Sequence, residues 1–446
     1  MAEIKLSDHF NIAKLLKFTA PTMIMMMFYS TYMLVDGLFI SNCVGSTGYA
    51  AVNIVGNYIL LFPSIGTMLG SGGAALISKT LGEKNSELAS KQFSMVIWFS
   101  VVAGLLLTVL GLLTVGEVAR LQGAEGELLK DCLEYGNIVV LIVVFYIVQS
   151  EFQYFFTMVE KEMLGFVSAV ISGVINISLD ALFILVFKWG LRGAALASFL
   201  GVLFGAIFPI VYFIRHKELP VRIKKPSLDI RTLLKVCANG SSEMVTNISV
   251  ALVGMLFNFQ LMRYVGENGV AAYGVIQAVT TVFLAVFQGY SAGIIPVVGY
   301  HFGAGNRDEL TSLLKKSIVL LAVINVLLFG ITEACAEIFA GIFVGYDKEL
   351  LDMSVRGLRI YCSVFLLTSF NVFGSAFFTA LNDGLNSAII SFARTIVFLV
   401  AGVLLLPLIW GLDGIWISTS VAELLALIVT ISIGFINRKV WKTKDF

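Results

Sequence analysis

Residues 18–78 read FTAPTMIMMMFYSTYMLVDGLFISNCVGSTGYAAVNIVGNYILLFPSIGTMLGSGGAALIS, and among them only Asp36 is charged. A bilayer is crossed by about 20 apolar residues, so this stretch holds two crossings and a turn. A carboxylate there costs on the order of 2.5–3.5 kcal/mol on insertion scales, and such groups face a polar cavity inside a helical bundle. The run predicts an all-helical membrane protein with Asp36 at work. The competing reading, a hydrated acid at the membrane boundary, is weakened by Gly37-Leu38-Phe39-Ile40, which prolongs the apolar run.

The rest of the chain agrees. Apolar residues make up 58% and charged residues 13% of its 446 residues, about half the charge of a soluble domain. The 41 glycines suit closely packed membrane helices. Alternating strands are not visible, which argues against a membrane barrel. A net charge of +1 without a basic domain gives no support to nucleic-acid binding. The polar start MAEIKLSDHFNIAKLLKF lacks the pattern of a signal peptide. Cys43, Cys132, Cys237, Cys335 and Cys362 are scattered, and His9, His216 and His301 have no ligand spacing, so no disulfide frame, metal site or cofactor is expected.

Twelve apolar stretches follow, at about 14–40, 49–72, 92–116, 133–158, 163–187, 192–213, 232–262, 270–296, 315–343, 353–380, 387–409 and 414–437. With the N-terminus in the cytoplasm, Lys and Arg divide 22 inside to 8 outside. That bias places both termini in the cytoplasm of a multi-pass protein of the cytoplasmic membrane. Arg394 is counted with an inner loop, and no Lys or Arg is assigned to the middle of a span.

The two halves repeat at an offset of 221 residues. Val44-Gly45 meets Val265-Gly266, Gly72 meets Gly293, Gly82 and Asn85 meet Gly303 and Asn306, and Trp189-Gly190-Leu191 meets Trp410-Gly411-Leu412. Six spans in each half make the repeats parallel. The expected architecture is therefore two pseudo-symmetric six-helix bundles around a central cleft. They are residues 1–214 and 232–446, joined by a cytoplasmic linker at 215–231.

Asp180 is the only charge from Met163 to Phe187, and Asn176 precedes it by one helical turn, so both share a face. One repeat later, the positions of Asp36, Asn176 and Asp180 hold Phe257, Val397 and Ala401, which confines this chemistry to the first half. Two carboxylates brought together away from water repel each other, and a proton or a sodium ion relieves that repulsion. Glu151, Glu243 and Glu423 are weaker candidates, the first two plausible boundary residues and the third without a named partner. Met33, Asn53, Gln153, Asn258 and Gln277 are candidates for lining the cleft, although amides on apolar spans more often link helices. Met23, Met25, Met26 and Met27 would form an adaptable wall. Gly70-Ser71-Gly72-Gly73 is a poor phosphate loop, with no strand before it and no Gly-Lys after it.

Val35-Asp36-Gly37-Leu38-Phe39-Ile40 resembles the first-helix motif of the multidrug and toxin extrusion (MATE) transporters, in their bacterial staphylococcal-type multidrug exporter branch. Asn176-x-x-x-Asp180-Ala181-Leu182-Phe183-Ile184 is similar to their fifth-helix motif. Ile295-Pro296-Val297-Val298-Gly299-Tyr300-His301-Phe302-Gly303-Ala304-Gly305-Asn306 resembles the end of their eighth helix. The resemblance spans the chain. It implies a cation-coupled antiporter, driven by H⁺ or Na⁺, that expels organic and often lipophilic cationic compounds. It also implies that Asp36 is the principal coupling carboxylate, with Asn176 and Asp180 beside it. Small organic substrates and membrane lipid are the expected partners, with no nucleic acid and no obligate protein partner. Some members carry an acid within the seventh helix, where this chain reads Thr246-Asn247-Ile248-Ser249-Val250, with Glu243 earlier. The rival reading within the superfamily is a lipid-linked precursor flippase, which would need a cationic cavity. A membrane-embedded enzyme would need a nucleophile–base set at one depth, and the sequence offers none.

Overall fold

The computed structural model describes residues 4–44, 46–59, 61–226 and 229–442. The first half comprises α1 (Ile12–Val44), α2 (Ser46–Ile59), α3 (Leu61–Gly82), α4 (Ser86–Leu121), α5 (Gly126–Val140), α6 (Val143–Met158), α7 (Glu162–Asp180) and α8 (Gly190–Arg215). A π-helical stretch, Ala181–Val186, prolongs α7. The second half comprises α9 (Ile230–Tyr264), α10 (Glu267–Gly303), α11 (Arg307–Val344), α12 (Lys348–Tyr361), α13 (Phe365–Ala380), α14 (Gly384–Phe392), α15 (Leu399–Leu405) and α16 (Pro407–Lys442), with a second π stretch, Ala393–Phe398, between α14 and α15. Among the described residues eleven helical segments are each long and apolar enough to cross a membrane. The α5–α6 pair, bent by 52°, makes a twelfth when counted as one span.

The helices run past the apolar stretches because their ends carry polar caps. Asn85 Oδ1 accepts from Leu88 N at 3.1 Å, and Asn306 Oδ1 accepts from Glu309 N at 3.2 Å, each satisfying one of the orphan donors of a helix start. These caps are 221 residues apart, and the backbone keeps the same offset elsewhere. Left-handed Lys84 (φ 62°) answers Gly305 (φ 67°), and Gly190 (φ 53°) answers Gly411 (φ 56°). The α5–α6 break recurs as the 3₁₀ turn Cys362–Val364 between α12 and α13. The outer walls are apolar and uncovered: Leu113 of α4 is 74% exposed and Ile342 of α11 is 73% exposed. Such surfaces are stable only against hydrocarbon.

The bundles meet on the face where α1 begins and α16 ends. A Cβ on Gly72 would lie 2.1 Å from Val236 O, and one on Gly240 would lie 1.9 Å from Met68 O. Gly82 stands in the same relation to Tyr300 O (2.1 Å), and Gly303 to Lys79 O (1.9 Å). Only glycine permits backbones this close. Thus α3 lies directly against α9 and α10.

The segment before α1 ties the two bundles together there. Leu6 N donates to Glu160 Oε1 (2.6 Å) in the α6–α7 turn, and Phe10 N donates to Glu309 Oε1 (2.9 Å) at the start of α11. His9 Nδ1 lies 2.6 Å from Glu309 Oε2, Lys316 Nζ donates to Phe10 O, and the Phe10 side chain is fully buried. A hydrogen bond from Lys14, with the Lys5 amide adding a second, holds the Asp8 carboxyl below its ordinary range. The segment after α8 is not a loose tether. Arg222 N donates to Ser90 Oγ (3.2 Å) and Lys224 N donates to Ser94 Oγ (2.7 Å), pinning it to α4.

Candidate functional site

Asp36 sits three-quarters of the way along α1, and Asp180 ends α7, where the backbone widens into the π stretch. The two carboxyl groups are within hydrogen-bonding reach of each other. Asp180 is 1% exposed and Asp36 is half-buried. Each keeps one buried oxygen, Oδ1, without a partner among the described residues. Unpaired buried acceptors are costly, and their presence marks a place where a cation can sit.

Asn176 is 1% exposed and packs beside Asp180. In the amide orientation that satisfies both ends, Nδ2 donates to Asp180 Oδ2 at 3.2 Å and to Tyr32 Oη at 3.1 Å. Its Oδ1 then accepts from Ser198 Oγ at 3.2 Å and Ser198 N at 3.0 Å. This geometry depends on small residues in α8. A Cβ on Gly201 would lie 2.9 Å from Ser172 O and 3.0 Å from Asn176 Cβ, and one on Gly205 would strike Gln149 Nε2 at 2.1 Å. Gln149 Nε2 in turn donates to Tyr29 Oη (3.2 Å) and Ser172 Oγ (3.1 Å). Tyr32, Tyr135 and Tyr146 stand close enough to Asp36 to feel its charge. The site is thus a carboxylate pair, an amide and a tyrosine wall, all in the first bundle. The tyrosines were not singled out from sequence, because aromatic residues are spread along every span.

The cleft candidates separate. Gln153 is half-buried and hydrogen-bonded to Tyr29, which brings it to the edge of the site. Gln277 is half-buried and bonded to Tyr273 in the other bundle. Asn53 and Asn258 lie on exposed sides of α2 and α9, and the side chain of Met33 lies outside the described residues. Phe257, the repeat position of Asp36, stacks on Tyr273 with centroids 4.8 Å apart.

Two boundary assignments change. Glu151 is fully buried, not interfacial, and accepts from Ser100 Oγ. Arg394 is not a loop residue: it lies in the π stretch inside the span Gly384–Leu405, and its side chain is only 11% exposed. Its Nε lies 3.7 Å from Glu423 Oε1. Asn371 Nδ2 donates to Glu423 Oε2 at 2.7 Å, Thr430 Oγ1 donates to Asn371 Oδ1 at 2.8 Å, and Glu243 lies within electrostatic range of Arg394. The expectation that no basic residue falls within a span is therefore wrong. An ion pair neutralises this one.

The MatE family matches residues 21–182 and 244–404, one match in each half. This chain belongs to the MatE family. Among curated proteins it is similar to the multidrug export protein MepA of Staphylococcus aureus (strain MRSA252), with 22% identity over 427 residues, 95% of this chain and 93% of that protein. The protein of that name in Staphylococcus saprophyticus is 22% identical over 433 residues, with the same coverage. Among solved structures, an outward-facing multidrug resistance MATE transporter of the MOP superfamily superposes with a TM-score of 0.92 at 22% identity, covering 99% of each chain. A MOP superfamily transporter from Pyrococcus furiosus, described as having a binding pocket of reverse polarity, superposes with a TM-score of 0.89 at 22% identity over 98% of each chain. The family match establishes the family, and the structural likenesses establish the fold.

Proposed function

We propose that this MatE-family chain is a cation-coupled antiporter. It exports organic, lipophilic cationic compounds across the cytoplasmic membrane by rocking of its two bundles, residues 1–214 and 232–446, about a cytoplasmic linker at 215–231. The observation that carries the reading is the juxtaposition of Asp36 and Asp180, each with an unpartnered buried oxygen, beside Asn176. A pair of this kind is relieved by one added positive charge. A proton fits between the carboxyls. Na⁺ fits as well, because carboxylate and tyrosine oxygens are donors that hard cations prefer. The Lys and Arg bias supports a cytoplasmic position for the face where α1 begins and α16 ends.

With that face closed, the carboxylate pair takes H⁺ or Na⁺ from outside. Loading removes the negative charge that holds a cationic passenger, and the passenger leaves. The loaded protein then returns to the inward state and releases the cation. The names of the staphylococcal relatives support multidrug export as the task. A lipid-linked precursor flippase is less well supported, since Arg394 is buried against Glu423 and offers no open cationic cavity.

Purified protein in liposomes, with pH and Na⁺ gradients imposed separately, tests the reading against a panel of fluorescent cations. One gradient is expected to drive uptake into inside-out vesicles, and Asp36→Asn is expected to lower the rate at least tenfold. Wild-type transport by Asp36→Asn, with unchanged ion dependence, would sink the mechanism.

A further inference from the structure

The lipid-facing wall of the second bundle contains a slot between α11, α13 and α16. Its volume is about 570 Å³, in the range of sites that enclose a small amphiphile. Phe370, Phe373, Phe377 and Leu427 line it, and Gly434 leaves one wall open. Ile318 is 45% exposed and Phe435 is 63% exposed at its edges, so it opens to the hydrocarbon.

The mouth carries two cations. Lys315 lies about 12 Å along α11 from its start, and Arg438 lies about 6 Å from the end of α16, so both sit near the face where α11 begins and α16 ends. No acidic side chain lines the slot. Arg438 stands over the Phe435 ring at 5.9 Å, and neither cation has a carboxylate partner among the described residues. The next residue, Lys316, is spent on Phe10 O.

This arrangement selects its occupant. A lipophilic cation is repelled by Lys315 and Arg438. A neutral lipid leaves both unpaired. An anionic phospholipid satisfies everything at once, with one acyl chain among the phenylalanines and its phosphate on the two basic residues. Basic pockets between membrane helices on the inner leaflet are recognised in this way.

We propose that the α11–α13–α16 slot binds one anionic phospholipid. The slot is wired to the interior through Thr430, which lines it and donates to Asn371, the residue that holds Glu423 against Arg394. Occupancy therefore bears on the buried ion pair of the second bundle, whichever compound the protein carries.

Native mass spectrometry of the full chain in detergent, titrated with phosphatidylglycerol or phosphatidylcholine of identical acyl chains, tests it. Retention of one phosphatidylglycerol per protein is expected, about tenfold tighter than phosphatidylcholine. Lys315→Gln combined with Arg438→Gln should abolish the preference. Gly434→Leu, whose Cβ meets nothing within 4 Å, should reduce retention of both lipids by filling the slot. Equal retention of the two lipids by the wild type overturns the assignment, as does an unchanged preference in the double variant. Displacement of phosphatidylglycerol by oleate at equal concentration would show that any anionic amphiphile suffices, and would likewise overturn it.

Discussion

Asn176 contributes no charge, yet it fixes where charge can go. Its amide spans Ser198 on one side and Asp180 with Tyr32 on the other. Asn176→Ala removes those donors and leaves the Asp180 carboxylate less supported, a loss of about 1–3 kcal/mol for a buried group. A carboxylate that loses its donors holds a cation more tightly, so coupling-cation affinity should rise roughly tenfold, read as a lower cation concentration at half-saturation of transport. An unchanged half-saturation would reduce Asn176 to a packing residue. These residues were legible from sequence because one polar group in an apolar run stands out, and a spacing of four puts two on one face. Arg394 was not, although the signal existed. It lies inside the apolar stretch 387–409 while Glu423, of opposite sign, lies inside the next, and opposite charges buried in consecutive spans imply a pair. Removing one partner of a buried pair costs about 3–5 kcal/mol, and replacing both with apolar groups costs far less. Arg394→Met should therefore unfold well below the wild type by thermal denaturation in detergent. Arg394→Met with Glu423→Met should recover most of the loss, and failure to recover would mean that the pair does not act as a unit.

At the level of elements, glycine placement decides how closely α3 can approach its neighbours. Gly303→Ala would put a Cβ 1.9 Å from Lys79 O, a backbone atom that cannot rotate away. Gly434→Ala meets nothing within 4 Å. The first should loosen the α3–α10 contact and the second should be silent. Proteolysis of the segment before α1 reports this, since Leu6 and Phe10 are buried only while Glu160 and Glu309 hold that segment across both bundles. Equal cleavage rates for the two variants would mean that the glycine contact does not control closure. Gly82 and Gly303 were visible as repeat partners in the sequence, but not as partners in contact. A repeat offset says which positions are equivalent, and only the packing of one bundle on the other says which positions touch. The docking of Arg222 and Lys224 on α4 was hidden for a related reason: a polar connector reads as solvated until its backbone donors are seen to be satisfied by Ser90 and Ser94.

For the molecule as a whole, the tight backbone contacts and the N-terminal clasp lie on one face, and the carboxylate pair lies toward the other end of α1 within the first bundle. A rigid-body exchange between two such bundles must break the contacts on the first face while each bundle keeps its own packing. Asn247 Nδ2 of α9 lies 3.0 Å from Thr67 Oγ1 of α3, a side-chain contact that bridges the bundles without touching the carboxylates. Thr67→Cys with Asn247→Cys, in a background lacking the five native cysteines, can be joined by a short reducible thiol crosslinker. The crosslinked protein should bind a fluorescent cation but fail to turn over, with at least a tenfold loss of liposome transport that reductant restores. Either single cysteine should transport normally after the same treatment. Full turnover by the crosslinked pair would require a path in which α3 and α9 never separate, and the two halves would then have to work by local movements within each bundle, centred on the π stretches that follow Asp180 and contain Arg394.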